Sequence, residues 1–386
     1  MPSKTVLTGG LIERIGLENS RIVHRRFDGC GTRETIEEIP VPNHEEGLNI
    51  IAEYLGDKEH GVITHTSEVD AVGHRVVHGG EHFHDTILID EEVIETIRRL
   101  IPLAPLHNPP NLEGIEVARE IFPEAVQVAV FDTAFHQTMP PEAYRYAIPN
   151  SFYTEHGVRV YGFHGTSHRY VARMAAEYLG KPLEETNLIT AHLGNGASIS
   201  AIQNGRSIDT SMGFSPLPGL VMGTRCGDID PAVIFYLAES LDMPMKEIDA
   251  LLNKKSGLLG LTGSSDLRDV LEKAEEGNPQ AILALDMFVY RIKKYIGAYL
   301  AILERVDALV FTAGIGENSP VVRWRVCQGL ENLGISIARE RNEKKREGIS
   351  EIHAAESRVK ILVVPTDEEL EIALQVQALL ESHKPL

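Results

Sequence analysis

The sequence predicts an α/β protein of two domains, each built on a mixed sheet with flanking helices. The chain has 386 residues, which is more than one compact core usually holds. Apolar runs typical of buried strands alternate with helical segments, as they do in a sheet covered by helices. This pattern restarts at NLITAHL, residues 187–193, and we therefore expect a second domain there.

The first half begins with two extended segments, 5–16 and 20–27, on either side of the turn-like sequence ENS. Helices and strands alternate after them. The expected order is a helix at 40–56, a strand at 68–80, a helix at 90–102, a Pro-rich loop at 103–111, a helix at 111–123 and a buried strand at 125–135.

The second half begins with three strands in a row, at 187–193, 198–203 and 206–211. Asn204-Gly205 between the last two is a strong signal for a tight hairpin. Beyond them we expect helices at 230–241, 245–257, 266–277, 279–306 and 319–334, a strand followed by a loop at 307–318, and a strand at 358–370 that ends in carboxylates before a terminal helix.

The composition narrows the function classes. A formal net charge of −19 argues against a nucleic-acid partner, because phosphate backbones need a basic surface. No stretch approaches the ~20 apolar residues of a membrane span. The three cysteines, Cys30, Cys226 and Cys327, are far apart and form no CxxC, which fits a reducing compartment. We therefore expect a cytoplasmic protein that binds neither nucleic acid nor membrane.

Two glycine-containing loops follow apolar strands. In AHLGNGAS (191–198), glycines flank Asn195 and would let backbone N–H groups approach a phosphate. FTAGIGEN (311–318) also places two glycines directly after a buried strand, but it matches neither the GxGxxG fingerprint nor a P-loop. A plain tight turn explains either loop equally well from the residues alone.

Two histidine-rich segments, GHRVVHGGE (73–81) and YGFHGTSHR (161–169), contain His-x3-His and raise the question of zinc. HRVVH lacks the Glu of HExxH, and its Val-Val centre favours a strand. HGTSH has glycine in its first turn, and Ser167 resembles a helix N-cap. No third ligand stands at a suggestive spacing. A zinc hydrolase would be recognised by stoichiometric metal in the purified protein.

Charged residues stand among apolar neighbours at four places. Arg75 lies in an apolar strand and Arg225 lies between glycines, where an arginine is costly unless it meets an anion. Asp132 and Glu368 follow strands, and strand ends are where ligands and Mg²⁺ bind in α/β proteins. Structural ion pairs or helix caps are the alternatives. Together with the glycine loops, these residues suggest phosphoryl transfer, which depends on positioning and on charge neutralisation.

The longer strings resemble the acetate kinase family along essentially the whole chain and in the same order. They are GHRVVHGGE, LAPLHNPPN, VFDTAFHQTMP, YGFHGTSH, HLGNGAS, TSMGF-P, MGTRCGDIDP, NKKSG, FTAGIGENS and VVPT-EE. The resemblance implies a sugar-kinase/actin-like fold with a central cleft. It implies a first domain of residues 1–131 and 368–386 and a C-terminal nucleotide-binding domain of residues 132–367. It also implies a homodimer and transfer of the ATP γ-phosphoryl group to acetate with Mg²⁺ or Mn²⁺, giving acetyl phosphate and ADP.

The resemblance also implies roles for individual residues. Arg75 and Arg225 would flank the acetate and the phosphoryl group, and His164 would donate to the phosphoryl oxygens. Asp132 and Glu368 would serve the metal and the attacking carboxylate. The acetate would lie among Val77, Leu106, His107, Phe163 and Pro216. ATP would contact His192, Asn195, Gly196, Asp266, Leu267, Arg268, Gly314, Ile315, Gly316 and Asn318.

Three departures from the family pattern leave alternatives open. Asp367 replaces the Asn of PTNEE, which adds a charge near Glu368, and the loop before Asp266 is slightly short. The family's first strand, with its N-x-G-S-S-S-x-K motif, is absent, and we count only two strands before residue 28. The missing strand makes an inactive form truncated before Met1 one alternative to an acetate kinase. A related propionate or butyrate kinase is the other, because an apolar pocket discriminates added methylenes only weakly.

Overall fold

The computed structural model describes residues 4–28, 31–105, 107–344 and 347–383. Its helices and mixed sheets confirm the α/β prediction. The chain forms two compact units, of which the first contains Met1–Phe131 and Ile372–Leu386 and the second contains Asp132–Glu371. Residues 368–371 therefore belong to the second unit, whereas the expected boundary placed them in the first domain.

The first unit contains two sheets of three strands each. Its elements are β1 (Thr8–Glu13), β2 (Arg21–Asp28), β3 (Gly31–Glu38), α1 (His44–Gly56), β4 (Ala71–Val76), β5 (Ile87–Leu88), α2 (Glu91–Arg99), α3 (Asn108–Ile121) and β6 (Val126–Phe131). One sheet has the antiparallel order β1-β2-β3, and the other has the order β4-β6-β5 with β4 and β6 parallel.

Strands β1 and β2 confirm the two extended segments predicted before residue 28, but strand β3, which follows them, was not predicted. The sequence of β3, GTRETIEE, is exposed on both faces and lacks the apolar alternation that marks a half-buried strand. A second difference concerns the Pro-rich segment, because α3 already begins at Asn108. Pro109 and Pro110 occupy its first turn, where a missing N–H breaks no helical hydrogen bond.

The second unit is built on one six-stranded sheet, flanked by helices. Its elements are α4 (Pro141–Tyr144), α5 (Ser151–His156), α6 (Gly165–Leu179), β7 (Leu188–Leu193), β8 (Ala197–Gln203), β9 (Arg206–Thr210), α7 (Pro231–Ser240), α8 (Met245–Lys254), α9 (Gly257–Thr262), α10 (Leu267–Glu275), α11 (Pro279–Leu303), β10 (Ala308–Thr312), α12 (Ala313–Asn318), α13 (Pro320–Cys327), α14 (Arg339–Glu343), β11 (Ser350–Glu351), β12 (Lys360–Val363) and α15 (Glu368–Ser382), the last of which continues into the first unit.

The order of this sheet is β11-β12-β10-β7-β8-β9. Strands β7, β10 and β12 are parallel, and β7, β8 and β9 form the predicted antiparallel series. Asn204 and Gly205 both have positive φ, which confirms the predicted hairpin turn. Buried apolar residues of β7, β10 and β12 pack with residues of α6, so the parallel part of the sheet and that helix share one apolar core.

Two local expectations for the second unit are wrong. FTAGIGEN does not end in a loop, because residues 313–318 form the short helix α12 despite their two glycines. Ser167 is not a helix N-cap either. Helix α6 begins at Gly165 after His164, and Ser167 lies buried inside the first turn. None of the described helices is both long and apolar enough to cross a bilayer.

Candidate active site

The carboxyl ends of the parallel strands β7, β10 and β12 bring several predicted site segments to one edge of the sheet. His192 is the second-last residue of β7, Thr312 ends β10, and Thr366 follows β12. Hydrogen bonds join the segment after β12 to α12 and α6. The Thr366 N–H donates to Glu317 Oε1 at 3.1 Å, and the Thr366 hydroxyl lies 2.9 Å from Ser167 Oγ. Ligands of open α/β sheets bind at this edge.

Asp132 holds the turn that presents His164. Its Oδ2 accepts the N–H of His164 at 2.8 Å, and its backbone carbonyl accepts the N–H of Gly165 at 2.9 Å. His164 has φ 58°, a left-handed conformation that costs free energy in a residue other than glycine. The carboxylate of Asp132 is almost fully buried, so these bonds fix the backbone on which the His164 ring is mounted.

Four histidines lie together in this region, and their hydrogen-bond partners include serine and threonine hydroxyls. The rings of His164 and His192 stack with centroids 4.2 Å apart, and His168 lies 6.2 Å from His192 and 5.7 Å from His136. The nitrogen–oxygen pairs are His136 Nδ1 with Ser207 at 2.8 Å, His164 Nδ1 with Ser198 at 2.9 Å, His168 Nε2 with Ser198 at 2.8 Å, His168 Nδ1 with Thr190 at 2.7 Å and His192 Nδ1 with Ser167 at 2.7 Å.

Burial keeps two of these rings neutral. Desolvation lowers the pKa of His136 to about 4 and holds the pKa of His168 well below its usual value, where the neighbouring His136 and His192 lower it further. His136 Nε2 lies 3.0 Å from the carbonyl oxygen of Phe163, which can only accept, so Nε2 carries the proton of the neutral His136 ring.

Gly196 marks the point where His164 and Arg225 converge. A Cβ added at Gly196 would lie 3.3 Å from His164 Nε2 and 3.7 Å from Arg225 Nη1. The absence of a side chain therefore keeps this space open beside one imidazole and one guanidinium. Arg225 is partly buried, and desolvation lowers the pKa of its guanidinium, which nevertheless stays a cation at neutral pH. Its Nη1 donates to the carbonyl of Pro216 at 3.3 Å.

A cavity of about 740 Å³ is lined by Gly194 and Asn195 of the same glycine loop. Except for His192, Gly196 and Gly316, every residue predicted to bind ATP lines it. Gly316 instead lies on the side of α12 that faces β7, where an added Cβ would lie 3.5 Å from the carbonyl oxygen of Ala191. Gly194, which also lines the cavity, belongs to the predicted glycine loop. The sequence missed the remaining lining residues, which are Ser265, Leu271, Ser319, Pro320 and Val321.

Arg323 supports α12, which lines this cavity, and sequence reasoning did not single it out. The buried guanidinium donates to the carbonyls of Gly316 and Glu317 at 2.8 Å each and to Asn342 Oδ1 at 2.8 Å. It thereby satisfies carbonyls at the end of α12 and connects that helix to α14. A single arginine in a helical segment carries no pattern that would distinguish it from a surface residue.

Four predicted residues belong to the first unit. Arg75 lies on β4 opposite Val130 of β6 and is exposed. Val77 is buried, and its N–H donates to Asn111 Oδ1 at 3.0 Å. His107 directly precedes α3. Leu106 lies outside the described residues.

Comparison with known proteins identifies the family. The family model described as "Acetokinase family" matches residues 1–374. The chain belongs to this family. It is 56% identical over 383 residues to the acetate kinase of Flavobacterium johnsoniae, covering 99% of this chain and 95% of that protein.

Solved structures of the family have the same fold. A crystal structure of Porphyromonas gingivalis acetate kinase superposes with a TM-score of 0.90 at 47% identity, over 97% of this chain and 94% of that one. A propionate kinase from Francisella tularensis gives a TM-score of 0.88 at 42% identity, over 96% and 92% of the two chains. The expected fold is thereby confirmed.

The described residues offer Mg²⁺ few protein ligands. No group of three His, Cys, Asp or Glu side chains in the described ranges could hold a metal ion. Mg²⁺ commonly keeps several waters and takes only one or two carboxylates in addition to substrate phosphates. Glu368 is half-buried and lies two residues after Thr366. Its carboxylate could serve as the single protein ligand of a Mg²⁺ ion that otherwise binds water and substrate phosphates.

Proposed function

We propose that this chain transfers the γ-phosphoryl group of ATP to the carboxylate of acetate, giving acetyl phosphate and ADP. One observation carries the proposal. The loop 194–196 has Gly194 and Asn195 on the 740 Å³ cavity and Gly196 beside His164 and Arg225. A nucleotide in the cavity would extend its phosphates along this loop toward an imidazole and a guanidinium.

The residues fit the charge problem of this reaction. Acetate is already a nucleophile at neutral pH, so the barrier comes from bringing two anions together, and this requires no strong base. Arg225 neutralises charge on the phosphoryl group, and His164 donates a hydrogen bond to its oxygens. Arg75 of the first unit is assigned to the acetate carboxylate, and Val77, Leu106, His107, Phe163 and Pro216 are assigned to its surroundings.

The remaining assignments follow the same scheme. Asp132 fixes the turn that carries His164. Glu368 holds Mg²⁺, which when bound shields the phosphate charge. Asp367 caps α15, because its Oδ1 accepts the N–H of Leu370 at 2.9 Å, and an asparagine would do the same. A cytoplasmic location stays a prediction of the sequence.

Acetyl phosphate formation tests the proposed function. The purified chain is incubated with ATP, Mg²⁺ and acetate, propionate or butyrate, and the acyl phosphate is trapped with hydroxylamine. We expect the highest kcat/KM for acetate, with propionate a poorer substrate by ~1–3 kcal/mol in transition-state binding. A higher kcat/KM for propionate would favour the alternative of a propionate kinase. A folded chain that makes no acyl phosphate would refute both.

We also propose that two copies of the chain form a homodimer. Helices α7 and α11 expose large apolar side chains, namely Val233, Phe235, Tyr236, Ile282, Leu283, Met287 and Tyr290. Such exposed apolar surface is typical of an interface between subunits. Light scattering after size-exclusion chromatography should give twice the chain mass of 42.6 kDa, and Phe235→Asp should shift the mass toward that of one chain. A single-chain mass for the unsubstituted protein would contradict the proposal.

A further inference from the structure

Three side chains form an unbroken line of hydrogen bonds behind His164. Thr190 Oγ1 lies 2.7 Å from His168 Nδ1, and His168 Nε2 lies 2.8 Å from Ser198 Oγ. Ser198 Oγ in turn lies 2.9 Å from His164 Nδ1. All three members of the line, Thr190, His168 and Ser198, are fully buried. We call them the Thr190 line.

Among the described residues, the Ser198 hydroxyl bonds only to His164 and His168, so one of these rings must accept its proton. With that condition the protons of this line can be arranged in only two ways while His168 is neutral. In the first, Thr190 donates to His168 Nδ1, His168 Nε2–H donates to Ser198, and Ser198 donates to His164 Nδ1. In the second, every bond is reversed, and His164 donates from Nδ1. Each hydroxyl has one proton, and a neutral imidazole has one donor and one acceptor, so the line switches as a whole.

Thr190 distinguishes the two arrangements. In the first, its hydroxyl proton is donated to His168. In the second, that proton needs a different acceptor, and within the described ranges the Thr190 hydroxyl bonds only to His168. A buried hydroxyl proton without an acceptor is unfavourable, so the first arrangement is the stable one.

We propose that the Thr190 line holds the proton of neutral His164 on Nε2, the nitrogen that faces Gly196 and Arg225. Ser198 is then a positioning residue, because it acts on the phosphoryl group only through His164. This inference rests on the proposed function in one respect, because the proposed function is what assigns His164 as the donor to the phosphoryl oxygens. A ring that accepts at Nδ1 and donates at Nε2 is ready for that task before substrate arrives.

The tautomers can be measured directly in the full chain labelled with ¹⁵N-histidine. Nitrogen chemical shifts and long-range proton couplings tell Nε2–H from Nδ1–H rings, and the His164 signals are assigned by their loss in His164→Asn. We expect His168 to be neutral with the proton on Nε2, and the neutral form of His164 to carry its proton on Nε2 as well. A neutral ring of either residue with its proton on Nδ1 in the unsubstituted protein would overturn the proposal, whatever the variants do.

Substitutions then test the connection to catalysis. Ser198→Ala should lower kcat by about 10–100-fold, because a histidine with the wrong tautomer is a poor catalyst, while KM for ATP and for acetate stays within about threefold. His164 in this variant should show a population with the proton on Nδ1. Thr190→Val, which removes the terminal donor and does not touch His164, should show the same change of tautomer with a smaller loss of kcat.

Ser200→Ala is the matched control. Ser200 lies on the same face of β8 as Ser198 and is equally buried, but its hydroxyl bonds to Thr210 at 2.8 Å. We expect this variant to keep kcat within about twofold. An equal loss of kcat in Ser200→Ala would overturn the proposal. An unchanged kcat together with an unchanged His164 tautomer in Ser198→Ala would overturn it as well. An unsubstituted chain that lacks kinase activity would instead refute the proposed function, and the tautomer measurement would still decide the inference.

Discussion

The N–H of His164 donates to the Asp132 carboxylate, with 2.8 Å between N and Oδ2. This bond lies within the second unit and joins its first residue to the residue before α6, and it stabilises a left-handed residue in the turn there. Asp132→Ala should therefore lose about 1–3 kcal/mol in the free energy of unfolding, since a buried N–H is left without an acceptor. It should also lose at least tenfold in kcat. Urea unfolding followed by the fluorescence of Trp324 checks the first effect.

His164→Asn is the control for Asp132. Asparagine tolerates the left-handed conformation but lacks the imidazole, so kcat should fall with little loss of stability. If Asp132→Ala were as stable as the unsubstituted chain, the turn would not depend on this carboxylate.

Gly196→Ala should give a stable protein with impaired catalysis. The added methyl group would lie 3.3 Å from His164 Nε2 and 3.7 Å from Arg225 Nη1, in the space assigned to the phosphoryl group. We expect kcat/KM for ATP to fall by about tenfold or more, while the melting temperature changes little. Gly297→Ala in α11, where nothing lies within 4 Å of an added Cβ, should keep full activity. Normal kinetics in Gly196→Ala would place the phosphoryl group elsewhere.

Arg323→Lys tests the support of the nucleotide cavity. A lysine ammonium cannot reproduce the separate bonds of the guanidinium to Gly316, Glu317 and Asn342, so α12 should lose part of its anchoring. We expect KM for ATP to rise by about threefold to tenfold and KM for acetate to stay unchanged. Arg325→Lys, two residues along α13 in a surface pair with Asp286, is the comparison and should change neither constant. Equal effects on both substrates would contradict a role specific to the nucleotide.

The buried histidines predict acid sensitivity of the second unit. Burial lowers the pKa of His136 to about 4 and that of His168 well below 6.5. Below pH 6.5 these two histidines therefore bind more protons in the unfolded chain than in the folded chain. Stability should therefore rise as pH increases from about 4 to 6.5 and level off above. Asp209 opposes this trend over the lower part of the range, because burial raises its pKa to about 6. His136→Gln should reduce the slope measured by Trp324 fluorescence; an unchanged slope would show that His136 does not contribute.

The parts of the fold that the sequence predicts are those with a strong local signal. Asn204-Gly205 gives the hairpin, and the apolar run 187–193 gives the central strand β7. Strand β3 was not predicted because both its faces are exposed, and α12 was not predicted because its glycines indicate a loop. The Thr190 line was invisible to sequence reasoning. It depends on the register of β7 against β8 and on the packing of α6, neither of which a linear pattern encodes.

The rate of acetyl phosphate formation in two single variants tests the account most directly. Hydroxylamine trapping is used to measure kcat for the unsubstituted chain, His164→Ala, Arg225→Ala and the control Ser200→Ala. We predict that the unsubstituted chain and the control are active and that each of the other two loses about 10²–10³-fold or more, the effect of removing one donor to developing charge. Near-normal turnover in either His164→Ala or Arg225→Ala would contradict its assigned role at the phosphoryl group.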